Sequence, residues 1–146
     1  MTGKADFTEA EWDTVVHGPT TAGMIVLTAQ RGGTFRETFA ITRAYLDARK
    51  QPGQSELVDE IVSAKPALDR TRYHSPEELK EAGLGHLSEA IELLGQKATS
   101  GEVDAYRAFV IEVAEDVANA HREHGVNVSD AEQAALGEVK AAIGSD

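Results

Sequence analysis

Two stretches decide the fold, "AQRGGTFRE" (residues 29–37) and "HREHGVNVSDAE" (residues 121–132). Each places a glycine-containing corner after an apolar, helix-periodic segment and follows it with Ser or Thr and, three positions on, Glu: Thr34/Glu37 and Ser129/Glu132. In that arrangement the hydroxyl oxygen accepts an early backbone N–H while the carboxylate accepts the N–H of the cap. Both stretches therefore read as corners where one helix ends and the next begins. The same box recurs at Thr8/Glu11, Ser75/Glu78 and Thr99/Glu102. Each would stabilise its helix by about 1 kcal/mol. Because each box precedes apolar periodicity, together they point to a helical chain.

The helices follow from these starts. Phe7 just before the Thr8 cap and Trp12 at the fourth helical position have the spacing of a hydrophobic staple, and a first helix is expected over 9–16. "HGPTT" (17–21) is expected to stop it and to start a second at Pro19, where a missing N–H costs nothing. That second helix should run over 19–31, its "AGMIVLTA" segment buried on most sides. Further helices are expected over 35–50, 55–64, 76–97 with a break near Gly83 and Gly85, 100–123 and 130–143. Gly83 and Gly85 would also suit a hinge or a close backbone approach. No stretch alternates as a strand would. The expectation is an all-α, single-domain bundle of six or seven helices over residues 1–146, with two weakly similar helical hairpins at about 19–50 and 100–143.

Composition bounds the function. A chain of 146 residues suits one domain and buries roughly 68–70% of its unfolded surface, enough for one core. The absence of cysteine excludes disulfides, thiolate nucleophiles, iron–sulfur clusters and Cys-based zinc sites. A formal charge of −11 would repel a phosphate backbone, so nucleic acid is not an expected partner. "MTGKADFTEAEW" (1–12) carries charge where a signal peptide would need an apolar core, and the longest apolar run, "AGMIVL" (22–27), is too short to span a bilayer. A cytoplasmic protein without a membrane partner is expected.

Spacing bears on reaction centres. A di-iron bundle needs Glu three residues before an inward His, but the residues three before His17, His74, His86, His121 and His124 are Thr14, Thr71, Gly83, Ala118 and His121. There is no HExxH, GxSxG, Walker loop or dinucleotide GxGxxG. Catalytic residues and organic cofactors are accordingly not expected.

Two clusters remain. On the long helix before the second corner, Phe109, Val110, Val113, Ala114, Val117 and Ala120 span an arc of about 0–140°, with His121 near 120° and His124 near 60°. With Asp116 at the edge of that arc, the two imidazoles make a candidate divalent-metal set, although a structural zinc needs four ligands. The simpler reading has both histidines interacting with the helix dipole and the last carbonyls. Asp13 and His17, four apart, form a second pair with a surface contact as its simpler reading. The other cluster is basic: Arg36, Arg43 and Lys50 recur every seven residues, with Arg31 just before them. This stripe is a candidate contact for an anionic ligand or an acidic partner segment. Alternatively it is the solvated back of a helix whose Phe35, Phe39 and Leu46 face inward.

The C-terminal segment "FVIEVAEDVANAHREHGVNVSDAEQAALGEVKAAIG", from Phe109, resembles TerB-like domains of the tellurite-resistance group. The likeness is clearest over 103–144 and fainter over 20–48. It implies an all-helical fold built from paired hairpins of the form apolar helix, Asp-Gly corner, Ser-x-x-Glu, helix. It also implies a non-enzymatic, stress-response or protein-interaction role. The corners here are Arg31-Gly32-Gly33 and His124-Gly125, so the carboxylate that the family pattern would place at each corner to meet a cation is missing.

Overall fold

A computed structural model describes residues 4–29, 35–50, 56–63, 76–123 and 130–144. Within these ranges the side chains of 4, 28–29, 35–40, 76, 120–123 and 130–132 lie outside the description. A short 3-10 turn, Lys4–Asp6, leads into α1 (Glu9–Ala29), α2 (Phe35–Arg49), α3 (Glu56–Ser63), α4 (Pro76–Lys97), α5 (Ser100–Glu123) and α6 (Asp130–Ala142). No strand occurs among the described residues, and no helix among them is long and apolar enough to cross a membrane.

The starts of α1 and α5 are built as their sequences require. The Thr8 N–H donates to Glu11 Oε1 at 2.8 Å and the Glu11 N–H donates to Thr8 Oγ1 at 3.2 Å. Thr99 and Glu102 exchange the same pair of bonds, each 3.2 Å. The staple closes with the Phe7 and Trp12 ring centroids 5.7 Å apart. Lys97, from the end of α4, locks this corner: its ammonium donates to Glu11 Oε1 at 2.8 Å and stands 5.5 Å from the Phe7 ring centroid. The boxes at Thr34/Glu37, Ser75/Glu78 and Ser129/Glu132 fall wholly or partly outside the described residues.

α1 is the axis of the bundle, packed on α5 and α4 and, less extensively, on α6 and α2. Val15, Ala22, Ile25 and Val26 from α1 meet Leu87, Ala90 and Leu94 from α4 and Tyr106, Val110, Val113, Ala114 and Val117 from α5 in one core. α2 and α3 close the other side of α5. Helix C-termini are tied across elements: Arg49 donates to the Val62 carbonyl, Arg107 Nε to the Ile143 carbonyl at 2.7 Å and Ser88 Oγ to the Ala142 carbonyl at 3.1 Å. These bonds satisfy carbonyls that a helix end leaves without an intrahelical partner.

Two expected breaks do not occur. α1 runs unbroken from Glu9 to Ala29 with Pro19 inside it, rather than ending at 16 and restarting at 19. A proline in a helix interior removes the N–H that the carbonyl four residues earlier should receive, here that of Val15. α5 supplies the missing donor, the Tyr106 hydroxyl, 2.7 Å from that carbonyl. Likewise α4 continues through Gly83 and Gly85. Gly83 is buried where a Cβ would come within 3.0 Å of Ile25 and Thr21, so it permits close approach of α4 to α1, whereas Gly85 faces open space. Gly23 does the same for α2 and α5, since a Cβ there would meet Ile41 at 2.9 Å and Val113 at 3.1 Å.

Candidate functional site

The structure joins one member of each candidate cluster. Arg43 and Asp47, one turn apart on α2, face Glu112 and Asp116, one turn apart on α5, and Glu115 flanks them. Burial raises the Asp116 carboxyl to about 6, the negative charges of Glu112, Asp47 and Glu115 add to the rise, and the Arg43 guanidinium opposes it. Burial, with Asp47 and Glu115, also raises Glu112. Lys140 of α6 reaches Glu115 at 3.5 Å and closes one end of the edge. Crowded carboxylates resist ionising together, so this edge holds protons and attracts cations more readily than isolated surface acids do.

The other members of the two clusters are placed as follows. The α5 backbone carries His121, whose side chain lies outside the described residues, as does the whole of His124. Arg31 also lies outside them, and Arg36 is described only as part of the α2 backbone. Lys50 is exposed in the turn just after α2. Among the described residues no group of three or more His, Asp or Glu is arranged to hold a metal ion. Leu46, expected to face inward, is 46% exposed, and Ile41, Ala44 and Tyr45 are the buried residues instead. The reason is angular: Leu46 stands about 140° around the helix from Ile41, whereas Tyr45 stands about 40° from it.

A second cluster, around Pro19, was not visible as a unit in the sequence. Three successive α1 carbonyls accept from side chains. That of Asp13 receives His17 Nδ1 at 2.8 Å, that of Thr14 receives His86 Nε2 at 2.9 Å, and that of Val15 receives Tyr106. A carbonyl only accepts, so His17 carries a proton on Nδ1 and His86 on Nε2. His17 Nδ1 also lies 3.2 Å from Asp13 Oδ1, the contact expected of that pair. Gly18 makes the space, because a Cβ there would sit 1.9 Å from the Tyr106 hydroxyl. Burial holds the Tyr106 phenol far above its ordinary value, which keeps it a donor. The nearby Tyr45 ring packs edge-on against Phe109, centroids 5.2 Å apart, and its buried hydroxyl has no hydrogen-bond partner among the described residues. The signal for this cluster was Gly18-Pro19 itself, which predicts an orphan carbonyl at Val15 once the helix is known to continue.

Compared with family models, curated proteins and solved structures, the chain matches none.

Proposed function

We propose that this chain is a non-enzymatic TerB-like helical module that works by holding a protein partner; a stress-response setting follows from the resemblance alone. The observation carrying this reading is how the two corner-forming helix pairs combine. α1 and α2 both pack on α5, and α6 packs on α1 and α5, so the segments that resemble TerB-like hairpins form one body. The internal chemistry supports it too, since His17, His86 and Tyr106 are each committed to a main-chain carbonyl. Each of these bonds fixes one side-chain donor on the α1 backbone, a supporting structural role. The strongly acidic surface suits recognition, where charge steers partners and discriminates among them.

A divalent cation bound near Asp116, His121 and His124 is the second reading, favoured by the crowding that raises Asp116 and Glu112. One measurement separates the two. Protein purified without a His tag is analysed for metals and melted with and without divalent cations, because a ligand of the folded state alone raises the melting temperature. The module reading expects no stoichiometric metal and an unchanged melt. One metal per chain, lost in His124→Ala, overturns it in favour of the cation site.

A further inference from the structure

An open groove of about 820 Å³ lies between the start of α1 and α3. Its floor is apolar, made of Phe7, Trp12, Val16 and Ile61, and its rim carries Glu9, Asp13 and Glu60. Among the described residues no lysine or arginine lines it. From this combination we infer that the groove receives a cationic amphipathic segment of a partner protein, its apolar side chains on the half-buried Trp12 and Val16, with Phe7 and Ile61 beneath them, and its Lys or Arg residues against the rim. The inference deepens the binding-module reading and rests on it.

Three properties commit the groove to that occupant. First, a trough with an apolar floor between charged edges is the shape an amphipathic helix fills, with anchors at successive turns. Second, three acids, Glu9, Asp13 and Glu60, stand together on the rim, and Asp13 already meets His17, so their attraction for a cationic segment would come from summed charge and not from a vacant carboxylate. The same field repels anionic lipid surfaces and acidic peptides. Third, the half-buried Trp12 indole lines the groove, an aromatic surface that a guanidinium or ammonium can approach. The groove is also well supported. Staple, capping box and Lys97 hold its α1 wall in place before any partner arrives, so little ordering cost opposes binding.

Trp12 is the sole tryptophan in the chain, so its emission reports on this groove alone. The probe is a synthetic Leu/Lys peptide of about four helical turns with leucine on one face, compared with a Leu/Glu peptide of the same pattern. The expected result is a saturable shift in Trp12 emission with the Leu/Lys peptide, weakened by added salt, and none with the Leu/Glu peptide. Glu9→Lys with Glu60→Lys should weaken binding at least tenfold. Glu77→Lys with Glu81→Lys makes the same change in net charge on exposed positions at the far end of α4 and should leave affinity within about twofold, which separates the groove from the general acidity of the chain. Val16→Asp, which spoils the floor while keeping the acidic rim, should also weaken binding. Circular dichroism checks that each variant is folded. The inference is overturned if no saturable shift appears, if the Leu/Glu peptide binds equally, or if both charge-reversal pairs weaken binding alike. None of these outcomes bears on the metal measurement that decides the module reading.

Discussion

Tyr106→Phe tests the account of the α1 interior most directly, because it deletes one oxygen from a buried ring and leaves the packing otherwise unchanged. That oxygen is the donor to the Val15 carbonyl, which Pro19 deprives of its helical partner. Leaving a buried acceptor unsatisfied costs about 1–3 kcal/mol. Taking about 2 kcal/mol, a domain of this size should lose about 4–8 °C in melting temperature. The diagnostic comparison is with Pro19→Ala, which restores an N–H able to reach the same carbonyl. In that background the hydroxyl is partly redundant, so Tyr106→Phe should cost at least about 1 kcal/mol less than it does alone. Gly18→Ala supplies a third leg. Alone it forces a methyl to within 1.9 Å of the tyrosine oxygen and should be destabilising. Combined with Tyr106→Phe, the nearest atom is the ring carbon at 3.1 Å, so the clash is smaller and the pair should cost less than the sum of the two single changes. Urea unfolding followed by circular dichroism gives all the free energies, provided the m-values agree. If Tyr106→Phe costs the same with and without the proline, the hydroxyl does not stand in for the missing N–H and the reasoning fails.

Three further outcomes are expected. Gly83→Ala should destabilise by about 1–3 kcal/mol through overpacking against Ile25 and Thr21, while Gly85→Ala in the same helix, facing open space, should stabilise by up to about 1 kcal/mol; thermal melts of the two variants must move in opposite directions. Thr99→Ala removes the hydroxyl that accepts the Glu102 N–H and should cost about 1 kcal/mol, read from denaturant midpoints. The Asp116 carboxyl is raised from its ordinary 3.8 to about 6 by burial and by its acidic neighbours, so the folded state holds this proton better than the unfolded state does. Its contribution is therefore present below pH 3.8 and lost as pH rises through about 6. Asp116→Asn should raise stability at pH 7 by about 1 kcal/mol after allowance for solvent screening, and by nothing at pH 4; equal effects at both pH values would remove the electrostatic explanation.

What the sequence discloses and what it conceals divide along a physical line. The limits of α5 are legible because a capping box writes its start and a continuous apolar arc runs through its body; both are local. The continuation of α1 through Pro19 is not legible, because the local rule that proline begins a helix is outweighed by a hydroxyl 91 positions beyond the Val15 carbonyl it serves. Gly83 reads as a break for the same reason, since its use depends on which residues of another helix pass over it. At the candidate site, Asp116 and Arg43 were each identifiable on their own helices. That they share one edge is set by the register of α2 against α5, which no periodicity within either helix encodes. Leu46 marks the finest limit: it lies one position beyond the stripe that packs, and one position is 100° of rotation.

The most deeply enclosed helix is also the earliest long one along the chain, and its main partners, α4 and α5, come after residue 75. During synthesis α1 must therefore emerge with its apolar flank unsheathed and its Val15 oxygen unclaimed until Tyr106 arrives. A fragment ending before α5 would present as bare surface the apolar face of α1 that packs on α5. Supplied in trans, the α5–α6 half is the piece that would rescue it.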